Sequence, residues 1–220
     1  MVKTVIFDMD GVIVDTEPVH KYAYYKHFSE LGIDVSEEMY ASFTGNSTRN
    51  VFQKLKESFT LQHDVEELIL RKRFLFNDAF DTKEDLELID GVRKLIVDLH
   101  GNGMQLILAS SASKGTIEKV FNRFELHPYF THTVSGEDFP QSKPHPAIFL
   151  HAASLSVAPI EHCIVIEDST NGIKASKAAG IFCLAYNSIN SKLQDLSEAD
   201  HEIAHFDAIN YQIISQIKQR

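Results

Sequence analysis

Short apolar runs recur along the chain. Thr4 to Phe7, Leu106 to Ala109, Thr131 to Val134, Cys163 to Ile166 and Phe182 to Ala185 show little polar alternation. Such runs read as strands buried on both faces. Helical periodicity fills most of the intervals, at Val92 to His100, Ile117 to Phe124, Pro146 to Leu155 and Asn171 to Ala179. Each of these ends near a breaker: Gly101, His127-Pro128, Ser156 and Gly180. Strands alternating with helices predict an α/β fold with a parallel sheet wrapped on both sides.

One stretch breaks this rhythm. From Glu17 to Asp85 no strand pattern occurs. Ala23 to Leu31, Glu37 to Phe43, Val51 to Phe59 and Val65 to Phe80 each carry the spacing of an amphipathic helix. An all-helical insertion after the first strand is expected, entered near Thr16 and left near Ile89-Asp90-Gly91. The division is 1–15 and 86–220 for the α/β core and 16–85 for the helical cap.

Composition narrows the function classes. Apolar residues make up 44% of the 220-residue chain and charged residues 24%, a globular balance. With 31 acidic against 21 basic side chains, the formal net charge is −10. Nucleic-acid binding and attachment to an anionic membrane both depend on clustered Lys and Arg, so neither is expected. No apolar run is long enough to span a bilayer, and Asp8 interrupts the first one, so it is no signal peptide. Cys163 and Cys183 sit in apolar runs and read as buried thiols in a reducing, cytoplasmic setting. Asn46-Ser47-Thr48 fits a glycosylation sequon that such a setting would leave unused.

Four strand ends carry chemistry. Asp8-Met9-Asp10-Gly11 places two carboxylates just past the first strand, at the sheet edge where open α/β folds bind ligands. A calcium loop counted from Asp8 fails, because Gly11 is fourth and Val19 twelfth. Glu167-Asp168 ends the Cys163 strand in the same way. Carboxylates converging from two strand ends suit a hard cation such as Mg²⁺. Ser110-Ser111-Ala112-Ser113 offers hydroxyls and backbone N–H groups ahead of a helix, a combination that serves as an anion site or as a helix cap. Lys143, between Ser142 and Pro144, supplies a compact positive charge.

In this order the four segments resemble the haloacid dehalogenase superfamily, in the branch that holds β-phosphoglucomutase and the sugar-phosphate phosphatases. The resemblance spans nearly the whole chain and includes Asp15-Thr16-Glu17-Pro18-x-His20, Gly45 and Ser169-x-x-Gly172-Ile173-x-Ala175. It implies a Rossmann-like core with a helical cap and a magnesium-dependent phosphatase. Asp8 would be the nucleophile and Asp10 the acid and base. Ser110, Ser111 and Lys143 would hold phosphate. Mg²⁺ would take Asp8, the Asp10 carbonyl and Asp168, with Glu167 at or beside it. Thr16, His20 and Arg49 would contact the substrate or its hinge, with Thr44, Asn46, Lys72 and Arg73 as further cap candidates. Asp10 argues against dehalogenation, since a halide needs no proton on leaving.

The substrate expected is a small phosphorylated metabolite, such as a sugar phosphate, handled by a monomer or small homo-oligomer. The mutase of this branch carries a lysine before its cap glycine, where this chain has Thr44. A mutase and a pyrophosphatase stand as alternatives, and a non-catalytic binding module as a third. His201-Glu202-Ile203-Ala204-His205 matches the zinc-protease pattern literally. That chemistry needs both histidines on one helical face and a further ligand, which the remaining residues do not supply, so zinc is not expected.

Overall fold

The computed structural model describes residues 1–217, the side chains of Ile189 and Asn190 excepted. In chain order the main elements are β1 (Thr4–Phe7), α1 (Glu17–Leu31), α2 (Glu37–Ala41), α3 (Thr48–Phe59), α4 (Val65–Thr82), α5 (Val92–Gly101), β2 (Gln105–Ser110), α6 (Lys114–Arg123), β3 (His132–Ser135), α7 (Ala147–Ser154), β4 (Cys163–Glu167), α8 (Thr170–Ala178), β5 (Phe182–Tyr186), β6 (His201–Ile203) and α9 (Tyr211–Ser215).

The six strands form one parallel sheet in the order β3-β2-β1-β4-β5-β6. The order reverses direction at β1, so the carboxyl ends of β1 and β4 lie side by side at the point where such sheets open a crevice. Alternation along the strands explains the absence of polar faces. Val5, Phe7, Leu106, Leu108, Ile164 and Ile166 belong to a core shared with α5, α6 and α9. Ile6, Ile107, Ala109, Val165 and Cys183 face the opposite core, under α7 and α8. Both faces are buried, so both must be apolar. Cys163 and Cys183 pack in that second core and form no disulfide among the described residues.

The helical stretch has an apolar core of its own, built by Tyr24, Phe28, Tyr40, Phe43, Val51, Phe52, Leu55, Leu68 and Ile69. The later turns of α4 pass Leu75, Phe76 and Phe80 into the sheet's first core. The two chain segments that lead into and out of the helices meet as an antiparallel bridge between Val14 and Leu88, supported by an Ile89 N–H to Ile13 carbonyl bond of 2.9 Å.

Several element bounds shift from the sequence expectation, and one strand is added to it. β3 begins at His132 instead of Thr131, because the Thr131 N–H and hydroxyl both turn to the Leu106 carbonyl. His201–Ile203 forms the edge strand β6, too short and too weakly apolar to show in the pattern. That strand puts His201 and His205 on no common helical face, and both are exposed.

Phe52 is fully buried, 5.9 Å from the Tyr24 ring and 5.2 Å from the His27 ring. Phe52→Ala should lower unfolding stability by about 3–5 kcal/mol in urea titrations, the usual cost of an aromatic-to-alanine cavity. A loss under about 1 kcal/mol would show that the helical layer collapses around the gap at little cost.

Candidate active site

β1 gains one more ladder bond beyond Phe7, from the Asp8 N–H to the Ile166 carbonyl at 3.0 Å. The chain then coils: the Met9 carbonyl accepts from the N–H groups of Val12, Ile13 and Val14. Gly11 takes φ +81°, and a Cβ there would collide with the Asp168 carboxylate. Glycine at this point is therefore needed for conformation and for space, and it lets the ends of β1 and β4 approach each other.

Lys143 lies at the centre of the strand ends. Its side chain is fully buried, and its Nζ donates to Asp8 Oδ1 at 2.5 Å, Glu167 Oε1 at 2.8 Å and the Ala109 carbonyl at 3.2 Å. Nζ also sits 4.7 Å from the Phe149 ring centroid. Burial alone would depress the ammonium, but Asp8 and Glu167 hold it above the ordinary lysine range. Asp8 is pushed up to about 8 by burial, with Lys143 pulling it down and the Glu167 and Asp10 charges pushing it further up. Asp168 is likewise raised, by burial first and then by the charges of Glu167 and Asp8.

A second network surrounds Asp10. Its Oδ1 accepts a short hydrogen bond from the Thr16 hydroxyl and lies 3.5 Å from His20 Nε2. His20 Nδ1 is 2.8 Å from Lys72 Nζ, which is itself buried over the rings of Tyr24 and Phe76. Burial pushes Asp10 upward, but His20, Thr16 and the Lys72 charge outweigh it and hold the carboxyl below its usual value. Burial drives Lys72 down to about 7 and also depresses His20, helped there by the Lys72 charge. The two networks enclose a cavity of about 80 Å³ between the sheet edge and the helical layer. Asp8, Asp10, Asp168, Ser111, His20 and Lys72 all line it.

This arrangement has known counterparts. A sequence profile of the haloacid dehalogenase-like hydrolases matches residues 5–186. The chain belongs to that family. It is 34% identical to hexitol phosphatase B of Escherichia coli over 181 residues, covering 79% of this chain and 78% of that protein. It is 31% identical to β-phosphoglucomutase of Bacillus subtilis over 189 residues, covering 83% and 82%. A crystal structure of β-phosphoglucomutase from Clostridium difficile superimposes with a TM-score of 0.85 at 26% identity, covering 98% of this chain and 96% of that one. Like others of the family, the chain is an enzyme of the phosphatase and phosphomutase type.

For this haloacid dehalogenase-like hydrolase, the expected residues divide between the cavity wall and the structure behind it. Glu167 is not in the cavity wall. Its Oε1 meets Lys143, and its Oε2 accepts from the N–H groups of Asp168 and Ser169 and from the Ser169 hydroxyl. A carboxylate so occupied holds the lysine and the turn, with little left to offer a cation. Asp10 turns its carboxylate to Thr16 and His20, which leaves its carbonyl for any metal. Ser110 is fully buried and accepts the Ala112 N–H at 3.0 Å; Ser111 and Ala112 line the cavity instead. The Ser111 hydroxyl donates to the Gly45 carbonyl at 2.7 Å. Arg49 is half-exposed, paired with Glu66, and lines a neighbouring seam cavity of about 190 Å³. Arg73 pairs with Glu137 beside the same seam. Thr44, Asn46 and Lys72 do reach the main cavity.

Sequence reasoning passed over Glu17 and Tyr40, which also line the cavity. Glu17 opens α1, where the helix dipole alone accounts for an acid, and Tyr40 packs in the helical core, so neither carried a signal of its own.

A divalent cation fits the donor set. Asp8, Glu167 and Asp168 bring three carboxylates against the single ammonium of Lys143, and Asp168's carboxylate accepts no side-chain hydrogen bond among the described residues. No three His, Cys, Asp or Glu side chains come together as a ready cage among the described residues. Two carboxylates and a carbonyl, completed by water and phosphate, are what Mg²⁺ accepts.

Lys143→Met should cost about 3–5 kcal/mol of stability in metal-free urea unfolding, because two buried carboxylates lose their cation. Pairing it with Glu167→Gln should recover part of that loss. A double variant no more stable than Lys143→Met would show that Glu167 is not held by charge.

Proposed function

We propose that the chain is a magnesium-dependent phosphatase of small phosphorylated sugars or polyols, working through a phosphoryl group carried on Asp8. The observation that carries this reading is Asp8 Oδ1 held 2.5 Å from Lys143 Nζ at the carboxyl edge of the sheet, with Asp10 two residues away and facing the same cavity. The relatives named above as hexitol phosphatase and phosphomutase, together with a phosphorylated carbohydrates phosphatase of Thermotoga maritima 32% identical over 180 residues, support sugar phosphates as the class.

The reaction follows from the geometry. Lys143 orients Asp8, whose free carboxylate oxygen attacks phosphorus as the ester P–O bond breaks. His20, Thr16 and Lys72 hold the resting Asp10 ionised, so it must first take up a proton, which it then gives to the leaving oxygen. It then takes a proton from the water that attacks the acyl phosphate. That second step breaks the bond to Asp8 and releases phosphate. Mg²⁺, held by Asp8, Asp168 and the Asp10 carbonyl, would neutralise charge on the transferring phosphoryl group. Thr16 and His20 hold Asp10 in place through both steps. The backbone at Ser111, which lines the cavity, would supply the rest of the phosphate cradle.

A mutase reading has its own support in the Asp10-His20-Lys72 chain and in the 31% identity to β-phosphoglucomutase. A mutase must, however, hold a bisphosphate. Lys72, the cationic side chain that faces the cavity from the helices, is already engaged with His20, while Arg49 and Arg73 are tied to Glu66 and Glu137 outside it. Hydrolysis is therefore favoured.

The cavity of about 80 Å³ is smaller than the roughly 300 Å³ of ordinary small-ligand sites. The helical layer must lift for substrate to enter. Hydrogen bonds across the seam then part, among them Ser111 to Gly45, Asn171 to Thr44, Asn50 to Ser142 and Gln194 to Ala41.

The test is phosphate release with Mg²⁺ from hexose and hexitol monophosphates, nucleotides and pyrophosphate. Sugar or polyol monophosphates should lead the panel, and Asp8→Asn should lose about 10⁴-fold or more in kcat while keeping its circular dichroism. Isomerisation of a hexose 1-phosphate that depends on a bisphosphate primer and releases little phosphate would overturn hydrolysis in favour of the mutase.

A further inference from the structure

The leaving-group end of the cavity is built around a carboxylate that the proposed chemistry does not use. Glu17 opens α1 and lines the cavity. Its Oε1 accepts the Tyr40 hydroxyl at 2.9 Å, and its Oε2 accepts no hydrogen bond among the described residues. Tyr40 is itself buried, so its hydroxyl is committed to fixing the glutamate. A largely buried carboxylate needs donors for its remaining lone pairs. Here the remaining oxygen has only the cavity to draw them from.

The surroundings select the donor. A further anion would meet Glu17, Asp10 and Asp168 together. An ammonium on the ligand would compete with Lys72, which already stands at this wall. Neutral hydroxyls meet neither objection. Burial, with the Asp10 charge behind it, pushes Glu17 up to about 7, against the pull of the Tyr40 hydrogen bond. The carboxyl can thus accept from a hydroxyl or, once protonated, donate to one. Thr44, Asn46 and Thr48 add neutral polar groups to the same wall, and the rings of Tyr24 and Phe43 offer faces for C–H bonds. Alternating O–H and C–H groups are the pattern of a polyol.

We propose that Glu17, fixed by Tyr40, is the residue that reads hydroxyl groups on the leaving alcohol and so selects polyhydroxylated phosphate esters over apolar ones. The assignment rests on the phosphatase reading for which end of the substrate faces Asp8. Thr16, the residue before Glu17, bonds Asp10. One helical turn therefore holds the proton donor for the ester oxygen and, beside it, the acceptor for the hydroxyls that follow along the chain.

The experiment uses the full-length chain with Asp8→Asn to prevent turnover, Mg²⁺, and two probes of similar length, sorbitol 6-phosphate and n-hexyl phosphate, in titration calorimetry. Sorbitol 6-phosphate should bind more tightly. Adding Glu17→Leu should reduce that preference about 10–100-fold, the worth of hydrogen bonds to a charged group. Tyr40→Phe, which keeps the ring and frees the glutamate, should reduce it about threefold or more, a smaller share of the same hydrogen-bond energy. It also serves as the test should Glu17→Leu fail to fold. An unchanged preference in the folded variants, or no preference at the start, would overturn the assignment. Phosphate release by the unsubstituted enzyme separates the two readings. Selective binding without release on any ester sinks the catalytic reading and leaves the hydroxyl site standing. Release of phosphate from both probes with equal kcat/KM sinks the hydroxyl site and leaves the catalytic reading standing.

Discussion

The buried ammonium of Lys143 is the constraint on which the site depends. It comes from the loop before α7, reaches through the core under the sheet edge, and binds one carboxylate from each of two neighbouring strands. Removing a lysine and two carboxylates from water is costly, and only close pairing offsets it. The consequence is geometric. β1 and β4 cannot drift apart at their carboxyl ends without exposing one partner, so Asp8 and Asp168 are held in register for any cation between them. Gly11 and Gly172 serve the same end: side chains there would strike the Asp168 and Glu167 carboxylates.

The helical layer is arranged around a different group. Asp10 faces away from Lys143 and is held by α1 and α4 through Thr16, His20 and Lys72. The proposed nucleophile and proton carrier are thus two residues apart in sequence and belong to separate electrostatic networks. One network is raised by burial among carboxylates; the other is lowered by cations from the helices. As they stand the two directions run against the proposed roles, since a nucleophile must be ionised and a proton donor protonated; a divalent cation against Asp8 would lower it. Because the second network comes from the helical layer, any motion of that layer also alters the proton carrier.

Much of this was legible in the sequence, for a physical reason. A fully buried parallel strand has to be apolar on both faces, so Thr4–Phe7 and Cys163–Glu167 announced themselves, and carboxylates at their ends stood out against that background. The helical insertion was visible because sixty-odd residues without a strand cannot be a crossover loop. What could not be read was the direction of side chains that do two jobs. Glu167 sits beside Asp168, yet its neighbour's N–H and the Ser169 turn draw it inward to Lys143. Arg49 has the charge for phosphate, but Glu66 lies within reach across α3 and α4 and takes it. Ser110 and Ser111 are equivalent in sequence, and only the end of β2 decides that the first is buried and the second faces the cavity.

Glu17 shows the same limit from the other side. An acid at the first position of a helix is explained by the helix dipole alone, so the sequence gives no reason to ask more of it. The fold supplies the reason. α2 is a short helix of five residues, and its Tyr40 packs inward among Tyr24, Tyr25 and Phe43. That packing carries the Tyr40 hydroxyl to the first turn of α1, where it occupies one oxygen of Glu17 and leaves the other toward the cavity. The sheet edge therefore determines which bond breaks, and the packing of an aromatic cluster in the helices determines what is presented to it. The two can vary independently, because among the described residues no side chain bonded to Lys143 Nζ comes from the helical insertion.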